Sequence, residues 1–442
     1  EDFGVVAKAI AITGIVELIF IHGLFGSIVR SDSLDNDQLN YLFIFSLIIS
    51  LIITSLLFIS AKPISAFYED DRIIWVVRIA ALSILVSGIN TVFNALLTRE
   101  MRFKQLAIIN ITATVFASSL TLFLALLDFG YKALMYQVLV LNIFLTLGSI
   151  FYSKWKPGIR ISSKGLKQHL IFGSNMLVNN LLNYGARNVD NIAIGKLQST
   201  LELGYYSRAY HLMLLPVGQI DQIINSTLFP ALSKIKSEKQ RMLSVLNQIQ
   251  EFVLVIIYPL VIWLFFNIDF FITNILGQTW EPSATYFKIF TPLILVQIFT
   301  GQIKTIYMTL NKVGILIKIS LYTKPILMGM LVLSAFYGAL YVGVALTVIS
   351  SLFGFYIYFK GINLLGSASM IDHVNFLKST FQLLLIFISG QVFLCIVFKV
   401  HEILFLTSLI SLVACYTYIL KTRIEIRNKL FQLLKLDKYR VS

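Results

Sequence analysis

Residues 172–221 carry polar and charged side chains in a stretch otherwise apolar enough to lie in a membrane. Asn175, Asn179, Asn183, Arg187 and Asp190 step by four, four, four and three. That spacing puts all five on one face of a helix. The stripe runs roughly 22 Å at about 1.5 Å per residue, most of the thickness of a bilayer. Lipid would make it expensive, so it faces protein or water. Two chemistries fit. Asparagine amides can hydrogen-bond across membrane helices and hold them together. Alternatively the stripe is one wall of an aqueous cavity in a transporter, with amides for hydroxyl groups and a guanidinium for an anion. The asparagines alone do not decide between these; Arg187 favours the cavity.

Eight cations fall inside apolar stretches: Lys8, Arg78, Arg187, Arg208, Lys288, Lys304, Lys318 and Lys324. Lys8, Arg78, Arg208 and Lys288 lie near helix ends, where a long side chain can snorkel to the interface. Arg187, Lys304 and Lys324 are deeper, and Lys324 precedes Pro325. All except Lys318 are candidate headgroup ligands, Arg187, Lys304 and Lys324 first. Among the acids inside such stretches, Asp221, Asp190 and Glu17 are candidates for coupling to Na+ or H+. For Asp190 an intrahelical pair with Arg187 is the competing reading. Asp221 shares a face with Gly218 and Asn225 beyond Pro216, where freed carbonyls could hold a cation. His22, His169, His211, His373 and His401 have no metal-ligand spacing, and no phosphate-binding loop is present. No metal site, cofactor or enzymatic activity is expected. His211, three residues after Arg208, is expected to be structural.

The elements that position these residues are helices. Hydrophobic residues make up 57% of the 442 and charged residues 13%, and the mean hydropathy is +0.82. This is a polytopic helical membrane protein, since the apolar runs are continuous rather than alternating. Thirteen spans are expected near 4–28, 41–61, 73–97, 104–127, 132–152, 168–195, 204–231, 248–276, 284–310, 314–335, 337–360, 377–399 and 402–420. Their connections are too short to hold a catalytic domain. Cys395 and Cys415 fall inside spans and suggest no disulfide framework. Lysines and arginines sort between alternate connections, 23 on one side and 5 on the other. The rich side, including the basic C-terminus, is expected to be cytoplasmic. The net charge of +14 is thus mainly a topology signal and needs no nucleic acid. The tail, 421–442, has spaced leucines and suits a short amphipathic helix on an anionic leaflet.

The halves repeat. FGVVAKAI (3–10) aligns with LGYYSRAY (203–210), matching Gly4 to Gly204 and Lys8 to Arg208; RIAALSILVSGIN (78–90) aligns with KIFTPLILVQIFT (288–300), matching Arg78 to Lys288. The helix over 73–97 adds a polar stripe of Ser83, Ser87, Asn90, Asn94 and Thr98; its counterpart carries Gln297, Thr300, Lys304 and Tyr307. Repeats six spans apart share an orientation, as in transporters with two lobes about an axis along the membrane normal. The expected organisation is an N-terminal lobe over 1–155 and a C-terminal lobe over 156–365. Two additional helices over 366–420 and the basic tail follow. The helix over 168–195 has no counterpart before Gly4. A further helix is therefore expected ahead of Glu1, giving fourteen spans as six, six and two.

FGSNMLVNNLLNYGARNVDNIAIGK, then LGYYSRAY and Leu215–Pro216, resembles the polysaccharide exporters of the colanic-acid and teichuronic-acid type. These are lipid-linked oligosaccharide flippases of the multidrug/oligosaccharidyl-lipid/polysaccharide superfamily. EDFG (1–4), FYEDDR (67–72), LLTREMRFKQLA (96–107), LFPALSKI (228–235) and ILGQTW (275–280) extend the likeness over about residues 1–365. The resemblance implies a V-shaped pair of lobes around a cationic cavity in the bacterial cytoplasmic membrane. It implies an undecaprenyl-diphosphate-linked oligosaccharide flipped outward for capsule, exopolysaccharide or O-antigen synthesis. Membrane lipid, and the polymerase and glycosyltransferases of the same pathway, are the expected partners. An ion-coupled drug exporter of the same fold is the alternative. Its cavity should be apolar with a few acids, whereas cations here outnumber acids. A polymerase or acyltransferase would need a large loop or a motif histidine, and neither is seen.

Overall fold

A computed structural model describes residues 1–30, 35–158, 184–366, 369–397 and 401–422. Among them every regular element is a helix. In order these are α1 (Asp2–Arg30), α2 (Asn36–Tyr68), α3 (Arg72–Arg99), α4 (Phe103–Leu126), α5 (Tyr131–Tyr152), α6 (184–197), α7 (Thr200–Lys234) and α8 (Lys239–Phe252), then α9 (Tyr258–Phe271), α10 (Glu281–Thr300), α11 (Ile303–Thr309), α12 (Val313–Ala335), α13 (Ala339–Asn363), α14 (Ser369–Val397) and α15 (His401–Thr422). Helices occupy each expected span that lies within the described residues. Eight stretches are long and apolar enough to cross a membrane by themselves, and α14 and α15 contain shorter apolar runs. The sixth expected span is described only from residue 184.

Local sequence sets the ends and breaks. Asp35 and Gln38 form a capping box that starts α2, and Glu69, in the left-handed region at φ 55°, ends it. Single π-helical turns at Val253–Ile257 and Ile272–Leu276 flank α9, whose Pro259 lies in its first turn. Gly301 separates α10 from α11.

The chain forms two compact units. The first is Glu1–Ser207 with Met328–Val342; the second is Arg208–Leu327 with Gly343–Ser442. In the first, α3 lies against α1, α2 and α5. Lipid tails are as apolar as leucine, so close packing and hydrogen bonds must hold such helices together. The α2–α3 contact shows how. Ser46, Ser50 and Thr54 recur every four residues on α2. The Ser46 hydroxyl donates to the Gly88 carbonyl (3.0 Å) and Thr54 to the Ala81 carbonyl (2.9 Å). A Cβ at Gly88 would stand 2.5 Å from the Ser50 side chain. In the second unit α15 packs on α9, and α14 on α8 and α9. There the Trp263 indole donates to Ser408 (3.0 Å), which donates to Asn267 Oδ1 (3.0 Å).

Candidate functional site

In the first unit Arg187 is exposed on α6, while Asp190, one turn on, is 1% exposed. The carboxylate of Asp190 accepts from the Tyr206 hydroxyl (2.7 Å) and the Asn191 amide (2.8 Å). The intrahelical Arg187–Asp190 pair is therefore replaced by a contact between α6 and α7. Asn175, Asn179 and Asn183 lie outside the described residues, as does the side chain of Glu17. Tyr184, next in the chain, donates to the Ile10 carbonyl (2.8 Å) across a surface where Gly14 leaves room for its ring.

Lys8 corrects the snorkelling reading. It is 3% exposed, its ammonium donates to Thr200 Oγ1 (2.6 Å), and it lies 5.6 Å from the centre of the Tyr68 ring. Beside it Gly4 and Gly204, the pair matched by the repeat, meet backbone to backbone: a Cβ on Gly204 would lie 3.5 Å from the Gly4 nitrogen. In the connection between α2 and α3, Arg72 grips Asp70 with Nε and Nη2 at 2.9 Å each and reaches Glu1 at 2.7 Å. Hydrogen bonding to Arg72 holds the Asp70 carboxyl below the ordinary carboxylate range. Lys196 pairs with Glu69 at 2.7 Å and does the same to it. Arg78 is exposed on α3.

In the second unit the Arg208 guanidinium lies 5.7 Å from the centre of the Trp280 ring. The repeat-matched cations Lys8 and Arg208 thus make the same kind of contact, each on an aromatic ring of its own unit. Lys288 is bound to Asp269 of α9 at 2.5 Å. Lys304 is exposed on α11, and Lys324 is half-buried on α12. Asp221 lies on α7, which runs on through Pro216 as one helix. Its carboxylate fills the space at Gly301, where a Cβ would stand 2.7 Å from Oδ1. His211 is exposed.

The structure thus sorts the candidate ligands. Arg78, Arg187 and Lys304 are exposed, whereas Lys8, Arg208 and Lys288 are engaged within their units. Asp269 is not legible in the sequence as the partner of Lys288, because the two lie on different helices. Among the described residues no cluster of three metal-ligating side chains occurs.

These features define an all-helical, multi-pass membrane protein with cations built into its spans. Residues 1–285 match the family described as polysaccharide biosynthesis protein, and the chain belongs to that family. It is 25% identical over 277 residues to the teichuronic acid biosynthesis protein TuaB of Bacillus subtilis (strain 168), covering 62% of this chain and 57% of that protein. It is 19% identical over 324 residues to the lipopolysaccharide biosynthesis protein WzxC of Escherichia coli (strain K12), covering 73% and 66%. The chain thus spans between about half and two thirds of the length of these relatives. Among solved structures it shares the fold of the lipid II flippase MurJ in its inward closed conformation, with a TM-score of 0.73, 14% identity and coverage of 97% of this chain and 93% of that one.

Proposed function

We propose that the protein flips an undecaprenyl-diphosphate-linked oligosaccharide from the inner to the outer leaflet of the bacterial cytoplasmic membrane by alternating access. The observation that carries the reading is the excess of cations over acids within the spans of a chain that belongs to a polysaccharide biosynthesis family. The headgroup of such a lipid bears a diphosphate and several sugars. Moving it unaided through hydrocarbon would cost on the order of tens of kcal/mol, because charges and hydroxyls lose their water. A hydrated basic cavity removes most of that cost, while the prenyl chain stays in lipid.

In this reading thirteen helices of the chain cross the membrane. They form lobes over 1–155 and 156–365 and two further helices over 366–420, and the tail faces the cytoplasm. Arg187 binds the diphosphate bidentately, and Lys304 and Arg78 act as further charges. Lys324, Lys8, Arg208 and Lys288 contribute when released from their present contacts, and Asn175, Asn179 and Asn183 bond sugar hydroxyls. Asp221, Asp190 or Glu17 couples the cycle to Na+ or H+. The excess of cations disfavours an exporter of organic cations.

The test is Arg187→Ala, with mass spectrometry of the lipids in cells that depend on this gene. Loss of export and build-up of the diphosphate-linked oligosaccharide, with normal membrane insertion, is expected. Full export would remove Arg187 from the site, and no build-up on deletion of the gene would remove the function.

A further inference from the structure

The break between α10 and α11 is built rather than incidental. Across it the backbone ladder runs from the Gly301 amide to the Gln297 carbonyl (2.8 Å), then resumes with Lys304 to Gly301 (3.3 Å) and Thr305 to Gln302 (3.0 Å). These bonds pass over the carbonyls of Ile298, Phe299 and Thr300. A backbone acceptor freed inside a membrane protein must find another donor. Here two glutamine amides supply it to the first two. Gln302, 1% exposed, turns its Nε2 back onto Ile298, and Gln250 of α8, fully buried, donates Nε2 to Phe299 (3.2 Å).

Gln250 is itself held from a distance. The Tyr358 hydroxyl of α13 donates to Gln250 Oε1 (2.8 Å) and touches His373 Nε2 of α14, and His373 Nδ1 meets Asn247 Oδ1 of α8 at 2.5 Å, an amide whose oxygen and nitrogen can exchange places by a half-turn. The direction of this series follows from its last member. A carbonyl only accepts, so Gln250 must present NH2 to Phe299 and its oxygen to Tyr358. Tyr358 spends its one proton on Gln250 and can only accept from the imidazole. His373 therefore carries its proton on Nε2, and a neutral ring accepts at Nδ1 from the Asn247 amide, turned so that its NH2 faces the ring. All four side chains are buried, with exposures between 0% and 8%. One directed chain thus ties α14, α13 and α8 to the carbonyl just ahead of the break. Beyond the break, Ile303 is seated against Gly361, where a Cβ would stand 2.3 Å from it, and the Tyr307 hydroxyl donates to the Ile357 carbonyl (2.9 Å).

We propose that His373, acting through Tyr358 and Gln250, is a positioning residue that sets the angle of α11 and hence the place of Lys304. The inference rests on the reading of Lys304 as a headgroup ligand. It makes α14 part of the transport machinery rather than an appendage to it.

The experiment uses the full chain with Cys395→Ser and Cys415→Ser, and a reporter cysteine at Lys304→Cys or, in the other unit, at Arg187→Cys. Labelling by a charged, water-soluble thiol reagent is timed in membranes. Gln250→Leu and His373→Leu should change the rate at 304 at least fivefold and leave that at 187 within twofold. His373→Gln, whose amide can still donate to Tyr358, should restore the rate. Tyr358→Phe removes only a hydroxyl and covers the case in which the leucine variants do not insert. It should shift the rate at 304 likewise. With Lys304 intact, Tyr358→Phe should lower export at least fivefold. Unchanged labelling at 304, equal changes at 304 and 187, no labelling of 304 in any background, or a labelling shift with normal export would each overturn the proposal. If the substrate is not the one proposed, export is lost as a readout but the labelling pattern still decides the positioning.

Discussion

Lys288 and Asp269 show how a cation chosen for its charge can be committed to another partner. The pair is 2.5 Å long and each side chain is about one-third exposed. Two such charges are tolerated in a span because each offsets the desolvation of the other. Asp269→Ala should therefore be worse than Asp269→Ala combined with Lys288→Met, since the single change strands an ammonium. A coupling energy of about 1 kcal/mol, from thermal unfolding of the four members of the cycle in detergent, is expected. Additive effects would mean that solvent screens the pair. At the membrane surface Asp70 offers a pH test. Its folded-state pKa is depressed, chiefly by hydrogen bonding to Arg72. Its contribution is thus fully present above the unfolded carboxylate value of about 3.9 and is lost as pH falls through the lower folded value. Asp70→Asn should cost about 1 kcal/mol or less near neutrality, and the gap to the parent protein should close below about pH 4. A gap that persists at lower pH would mean that Asp70 acts by packing.

At the scale of elements, the places of the helices are legible in the sequence because bilayer thickness sets the length of an apolar run. The alignment of Gly4 with Gly204 is read from the sequence, but that these two glycines are apposed is seen only in the fold. What the linear pattern does not carry is the choice of partners. Asp190 sits three residues from Arg187 yet binds Tyr206, because burial turns its carboxylate away from the exposed face. The break at Gly301 was hidden for a similar reason, since the amide that caps Phe299 comes from Gln250, 49 residues earlier. The two glycines also differ in a way that sequence equivalence cannot show. A Cβ at Gly4 would lie 1.8 Å from the Thr200 carbonyl oxygen, whereas one at Gly204 meets ordinary contacts from 3.5 Å. Gly4→Ala should thus destabilise the first unit by about 1–3 kcal/mol, the cost of overpacking against backbone. Gly204→Ala should be near neutral. Thermal unfolding of the two variants in detergent separates them, and equal effects would show that the close approach at Gly4 is not required.

For the whole molecule the question is what drives the cycle. In the proposed reading the cavity has more cations than acids and binds an anion, and an anion moving outward across an inside-negative membrane runs down the potential. The gain is about 2.3 kcal/mol per elementary charge per 100 mV, roughly a fiftyfold bias for each net charge carried. Cations that travel with the headgroup reduce that net charge, so the size of the bias reports how far Arg187 and Lys304 move with their load. The full-length protein in vesicles, given the diphosphate-linked oligosaccharide, should move it faster with the inside-negative potential imposed than with the potential collapsed by a potassium ionophore. Arg187→Lys keeps the charge but loses the bidentate fork, so it should slow flipping while preserving that voltage sensitivity. If Asp221 is the coupling group, its place against Gly301 puts it where it can sense α11, and Asp221→Asn should abolish any dependence on Na+ or pH while the voltage term remains. Flipping that ignores potential, Na+ and pH alike would rule out a driven cycle, leaving a facilitator whose direction is set by consumption of the oligosaccharide on the outer face.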